Sequence, residues 1–151
     1  MTPSLIFIFP NRTSSILDKL ISLWEGGHRP FHVGILCLNP RNEQIVLQAD
    51  PDGNFAVPLS YYDANPTKII AFPAYLDFDY NETYAYFSKI KYSYEGAAEA
   101  GLAQYLHWLP FLKTKKKYCS QACAEVLRQA GFPLPTTELD PYRLLQIMTN
   151  K

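Results

Sequence analysis

The stretch Phe31-His32-Val33-Gly34-Ile35-Leu36-Cys37-Leu38, followed by Gln44-Ile45-Val46-Leu47-Gln48-Ala49-Asp50, decides how this chain is read. Both runs are apolar and carry β-branched residues, and the turn formers Asn39, Pro40, Arg41 and Asn42 lie between them. They read as two strands. Side chains alternate across a strand, so His32 and Cys37 face opposite sides. On the second run Gln44, Val46, Gln48 and Asp50 share one face, while Ile45, Leu47 and Ala49 share the other. If the two strands form a hairpin, either Gln48 or Asp50 lies opposite His32: a loop of about three residues favours Gln48, and one of about five favours Asp50. Gln48 is a polar residue in an otherwise apolar strand, which is costly unless it has a partner.

Outward from this pair, Leu5 to Phe9 reads as a short buried strand ending at Pro10. Ser14 and Ser15 are candidate N-caps of a helix to about Trp24, which Gly26 and Gly27 terminate. Asp52-Gly53 marks a turn before a short strand near Phe55 to Leu59, and Lys68 to Phe72 reads as another strand. Helical patterns follow from Tyr80 to Ile90 and from Gly96 to Leu112. A stronger one runs from Cys119 to Ala130, closed by Gly131 and Pro133. Strands first and helices later predict an α+β fold.

The length of 151 residues fits one domain over 1–151. A composition of 48% hydrophobic and 19% charged residues is that of a globular protein rather than a disordered chain. Fourteen basic residues balance fourteen acidic ones, which argues against a phosphate-backbone binder, so no nucleic-acid partner is expected. No apolar run approaches the roughly 20 residues of a transmembrane segment, and Leu5 to Phe9 is too short for a signal-peptide core. Three cysteines imply no disulfide framework, and the expectation is a soluble, cytoplasmic protein with reduced thiols. Eleven tyrosines and nine phenylalanines, many between Phe72 and Phe111, suit an apolar substrate groove or an ordinary half-buried surface.

The Cys119–Ala130 helix carries the chemistry. Ala122, Cys123, Val126, Leu127 and Ala130 share its apolar face, and Cys119 ends that stripe in the first turn. Unpaired N–H groups and the positive end of the helix dipole favour a thiolate there. Cys123, one turn deeper, and Cys37 read as core. A catalytic thiol needs a base, and His32, fixed at the head of a strand, suits that task better than His28 in a glycine-rich loop or His107 on a helix edge. A third residue must orient the imidazole, and Gln48 and Asp50 are the candidates. Cys119 and Cys123 are too few ligands for zinc, and no metal or cofactor is called for. Lys113, Lys115, Lys116 and Lys117 read as a solvated loop; lying just before Cys119, they could also steer an anionic substrate or lower the thiol pKa.

His32 on one strand, Gln48 on the next and Cys119 on a distant helix make an order that resembles the circularly permuted NlpC-type papain-like cysteine hydrolases. The similarity is to the YiiX-like branch and, more distantly, to lecithin–retinol acyltransferase-like proteins. It is carried by Ser15 to Gly27, Phe31-His32-Val33-Gly34-Ile35, Val46-Leu47-Gln48-Ala49, Tyr118-Cys119-Ser120 and Asp140-Pro141-Tyr142-Arg143-Leu144. The resemblance implies a small antiparallel sheet packed against helices, with the cysteine helix abutting it. It also implies a nucleophilic Cys119, a basic His32 and a substrate with an amide or ester bond in a peptide, a cell-wall peptide or a lipid-like molecule. A non-catalytic binding module on the same fold, or a lipid acyltransferase or deacylase, is the alternative. The YiiX-like pattern commonly has an acidic residue where this chain has Gln48, and the acyltransferase-like branch a histidine. Glutamine accepts a hydrogen bond from the imidazole but supplies no negative charge, so Asp50 stays open as the third residue. The Cys119 N–H is the expected oxyanion donor, with the Tyr118 hydroxyl as a second candidate.

Overall fold

The computed structural model describes residues 1–11, 29–92, 118–137 and 139–150. Within them, five strands form one antiparallel sheet: β1 (Ser4–Ile8), β2 (His32–Leu38), β3 (Gln44–Leu47), β4 (Ala56–Pro58) and β5 (Thr67–Ala71). The order across the sheet is β4-β3-β2-β1-β5, which puts β1 and β2 at its centre. Three helices follow: α1 (Tyr80–Lys89), α2 (Cys119–Gln129) and α3 (Pro141–Thr149). The architecture is α+β, as the run of strands and then helices predicts. The helices expected over Ser14–Trp24 and Gly96–Leu112 lie outside the described residues, as do His28, His107 and Lys113–Lys117. No helix among the described residues is long and apolar enough to cross a membrane.

Alternation along β1 and β2 divides the buried residues between two faces of the sheet. Leu5, Phe7, Val33, Ile35, Cys37 and Leu47 join Ala122, Cys123, Val126 and Leu127 of α2 and Leu144, Leu145 and Met148 of α3 in the larger core. Ile6, Ile8, Leu36, Val46, Val57 and Tyr62 form a smaller cluster. The α2 helix is held on the larger face by more than apolar contact. The Cys123 thiol reaches the Val33 carbonyl of β2 (Sγ to O 3.7 Å), the Ser120 hydroxyl donates to the Leu139 carbonyl (2.6 Å), and the Tyr86 hydroxyl of α1 donates to Glu125 (2.6 Å). These bonds come from β2, from α1 and from the segment before α3, so they fix where the first two turns of α2 sit.

Helix α3 is an element that the sequence reading leaves out. Its signal is Asp140-Pro141 followed by apolar Leu144, Leu145 and Met148. Asp140 caps it by accepting from the Arg143 N–H (2.7 Å), and Pro141 occupies the first turn, where a missing N–H is harmless. The aromatic middle segment divides: Phe87 is core, whereas Tyr75 and Tyr84 are exposed.

Candidate active site

Two residues that begin their elements meet at one end of the sheet. His32 is the first residue of β2 and Cys119 the first of α2. Alternation puts His32 on the face of Ile6 and Ile8, opposite the α2 layer, yet the imidazole and the Cys119 thiol are near enough to act on each other's charge. The contact is possible because both groups lie at element ends, where no further strand or helical turn separates the two faces. Both are buried.

The other side of the imidazole belongs to Gln48. His32 Nε2 lies 2.9 Å from Gln48 Oε1, and Gln48 is fully buried. The orientation of the carboxamide follows from its other partners. Gln48 Nε2 donates to the Asn54 carbonyl (2.8 Å) and points at Asp50 Oδ2 (3.5 Å), both of which only accept. The NH₂ group must therefore face them, and the oxygen must face His32. It follows that the neutral imidazole carries its proton on Nε2, which leaves Nδ1 for the thiol.

The turn after β3 builds this arrangement. Asp50 Oδ1 accepts from the Asp52 N–H (2.8 Å), the Asp50 carbonyl accepts from the Gly53 N–H (3.1 Å), and Gly53 takes a positive φ of 79°. Asp50-Pro51-Asp52-Gly53 is thus a side-chain-supported turn that brings the Asn54 carbonyl back against Gln48.

The choice between Gln48 and Asp50 is resolved against simple strand parity. Leu38 pairs with Gln44 and Leu36 with Val46, so the loop is the five residues Asn39–Glu43. Continuing that register would put Asp50 opposite His32 and Gln48 opposite Gly34. Pairing of β3 with β2 stops at Leu47, however, and the chain turns away. Gln48, a diagonal neighbour with a long side chain, reaches the ring instead. Gly34 lets the end of β3 pack closely: a Cβ there would lie 2.4 Å from Val46 Cγ1 and 3.1 Å from the Leu47 carbonyl oxygen. Asp50 stands behind Gln48 and contributes to the imidazole by charge rather than by contact.

Burial alone would lower the basicity of His32. The Cys119 thiolate, its hydrogen bond, the hydrogen bond to Gln48 and the charge of Asp50 together outweigh that and raise the imidazole pKa. For Cys119 burial pushes upward, yet the imidazolium charge and hydrogen bond, with N–H groups of Val33 and Ser120 aimed at the sulfur, bring the thiol below its ordinary value. Both shifts favour a thiolate–imidazolium pair. Cys123 moves the other way: burial first, then the neighbouring Cys119 charge, holds it well above the ordinary thiol value. Burial pushes Cys37 up to about 12. Those two thiols are core, as expected from the sequence.

Tyr118 is the N-cap of α2, with extended backbone (φ −107°, ψ 172°) and a buried side chain that does not cap the helix. The N–H groups of the first turn therefore remain uncapped by that residue. Sequence reasoning missed Tyr62. It ends a short 3₁₀ helix, Leu59–Tyr62, and its hydroxyl donates to Gln48 Oε1, the atom that also faces His32. Its ring lies 6.1 Å from the imidazole, centroid to centroid. Nothing in the local sequence marks it out from its neighbour Tyr61, which is 55% exposed against 7% for Tyr62. Among the described residues, no cluster of His, Cys, Asp and Glu is placed to hold a metal ion. Compared with known proteins, the chain matches no family model and no curated protein.

Proposed function

We propose that this protein is a thiol hydrolase that cleaves an amide or ester bond through an acyl-thioester on Cys119. The observation that carries this reading is the buried Cys119–His32–Gln48 array, in which thiol and imidazole shift toward charge despite burial. An ion pair shielded from water is costly to maintain for stability alone, and perturbed groups of this kind concentrate at reactive sites.

In the proposed cycle the thiol proton moves to His32 Nδ1 and the sulfur attacks the substrate carbonyl carbon. The oxyanion is met by the Cys119 N–H at the head of α2, where the helix dipole adds positive potential. Collapse of the tetrahedral intermediate breaks the bond to the leaving amine or alcohol, which takes the proton from His32. Water, deprotonated by the same imidazole, then attacks the thioester and releases the acid and the thiol. Gln48 holds the ring throughout, and it does so as a dipole rather than as a full charge. The reading includes the circularly permuted NlpC-type papain-like fold, with the sheet-against-helix packing and the cysteine at the helix start in its support. Substrates would be peptides, cell-wall peptides or lipid-like amides and esters.

Mixing the protein with p-nitrophenyl acetate tests the chemistry without a natural substrate. The reading predicts a burst of nitrophenolate and an acetyl group on Cys119 in the intact mass, both absent from Cys119→Ala and strongly reduced in His32→Ala. Acetylation spread over surface lysines, with Cys119 unmodified, would instead make the protein a binding module.

A further inference from the structure

Resting on the Cys119–His32 reading above, we infer that Tyr62 is a positioning residue: its hydroxyl, acting through Gln48, holds the imidazole so that Nδ1 faces Cys119. The side chain lies in the smaller apolar cluster with Ile6, Ile8, Leu36, Val46 and Val57. A phenylalanine would fill that space equally well, and a hydroxyl there is unfavourable unless it is partnered. Its partner is Gln48 Oε1, the same oxygen that faces His32 Nε2.

Gln48 has a long side chain with several rotatable bonds. The Asn54 carbonyl and Asp50 anchor only its amide nitrogen. The Tyr62 hydroxyl anchors the oxygen end, so the plane of the carboxamide is fixed from both sides. A carbonyl oxygen has two lone pairs and accepts from both Tyr62 and His32 without forcing a choice. Among the described residues, the titratable groups that act on the imidazole or on this hydroxyl are Cys119 from α2, Asp50 from the turn after β3, Tyr62 itself and the adjacent Tyr61.

Loss of the hydroxyl has two opposing consequences. It frees Gln48 to rotate, which weakens the hold on the imidazolium, and it leaves Oε1 unshared, which strengthens it. A positioning role requires the first to dominate. The test is the pH midpoint of Cys119 alkylation by iodoacetamide in the wild type, Tyr62→Phe, Gln48→Ala and the double variant. Tyr62→Phe is expected to raise the midpoint by roughly 0.5 pH unit, about threefold in rate at a fixed acidic pH, and to add nothing in the Gln48→Ala background. Given a wild-type midpoint that responds to His32→Ala, an unchanged or lowered midpoint in Tyr62→Phe, or shifts that add in the double variant, would overturn the inference.

A second readout separates this claim from the catalytic one. In Cys119→Ala the His32 Nε2 proton is expected as a slowly exchanging NMR resonance, lost in Gln48→Ala and exchanging faster with Tyr62→Phe added. A wild-type thiol with an ordinary pH midpoint, indifferent to His32→Ala, would contradict the hydrolase reading alone. Exchange of the Nε2 proton that is insensitive to Tyr62→Phe would contradict the positioning role alone.

Discussion

The first two turns of α2 each bury a cysteine, and the same burial has opposite outcomes. Cys119 and Cys123 are both almost fully inaccessible, but Cys119 is driven toward the thiolate and Cys123 away from it. Desolvation raises both thiols. What separates them is what each sulfur meets at the sheet. Cys119 meets an imidazole and two N–H donors at the element ends, whereas Cys123, one turn deeper, has burial and the neighbouring Cys119 charge against it, with its thiol directed at the Val33 carbonyl. One turn of helix is enough to convert a core residue into a candidate nucleophile. The β2 strand supplies both environments from adjacent backbone groups.

The largest expected effect breaks the contrast from the imidazole side. His32→Ala should lower Cys119 alkylation at pH 6 by about 10²-fold or more, toward the rate of an ordinary thiol, and leave Cys123 unreactive in the folded protein. Peptide mapping by mass spectrometry after a timed pulse checks this. Gly34→Ala is next. Its new methyl must displace Val46 and press on the Leu47 carbonyl, one residue before Gln48, so it should cost about 1–3 kcal/mol in urea unfolding and, by shifting the end of β3, also raise the Cys119 midpoint. Loss of stability with no change in that midpoint would show that the glycine serves packing alone.

Cys123→Ala probes the contrast from the core side. It should cost about 1 kcal/mol of stability, through lost packing, and leave the Cys119 midpoint nearly unchanged. The smallest effect is expected of Asp50→Asn. The variant removes a charge that favours the imidazolium, so the Cys119 midpoint should rise by about 0.3 pH unit, measured by the same alkylation profile.

The two shifts also set the signs of any pH dependence of stability. The raised His32 pKa contributes stability that is complete below 6.5 and is lost as pH rises through the folded value. The lowered Cys119 pKa contributes stability that is complete above 9.0 and is lost as pH falls through its folded value. Between those limits the two slopes oppose each other, because folding moves a proton from sulfur to nitrogen rather than taking one from solvent.

The sheet was legible because alternation of apolar residues and turn-forming pairs is a local signal. The strands occur where expected, with ends that move by a residue or so; β3 alone is markedly shorter, ending at Leu47 rather than Asp50 because the Asp50–Gly53 turn ends the pairing. Residues His32, Gln48 and Cys119 were legible as a set through residue type and order. Their geometry was not. Strand parity alone would separate His32 from the helix layer and, with a five-residue loop, would choose Asp50 over Gln48. Both outcomes depend on where elements end, which local patterns define least well. Tyr62 was illegible for a related reason: its role arises from a 3₁₀ turn returning to a strand end, and its sequence neighbourhood reads the same for the exposed Tyr61.

In the proposed site His32 converts Cys119, and not Cys123, into a thiolate near neutral pH. The most direct measurement is the rate of alkylation of each cysteine against pH in the wild type and in His32→Ala, resolved by mass spectrometry. Cys119 alone should be labelled in the wild type, with a rate nearly flat through neutrality. In His32→Ala that rate should instead climb about tenfold per pH unit toward the ordinary thiol value of 9.0. A wild-type Cys119 that already follows the ordinary profile, unchanged by loss of His32, would contradict this role of His32.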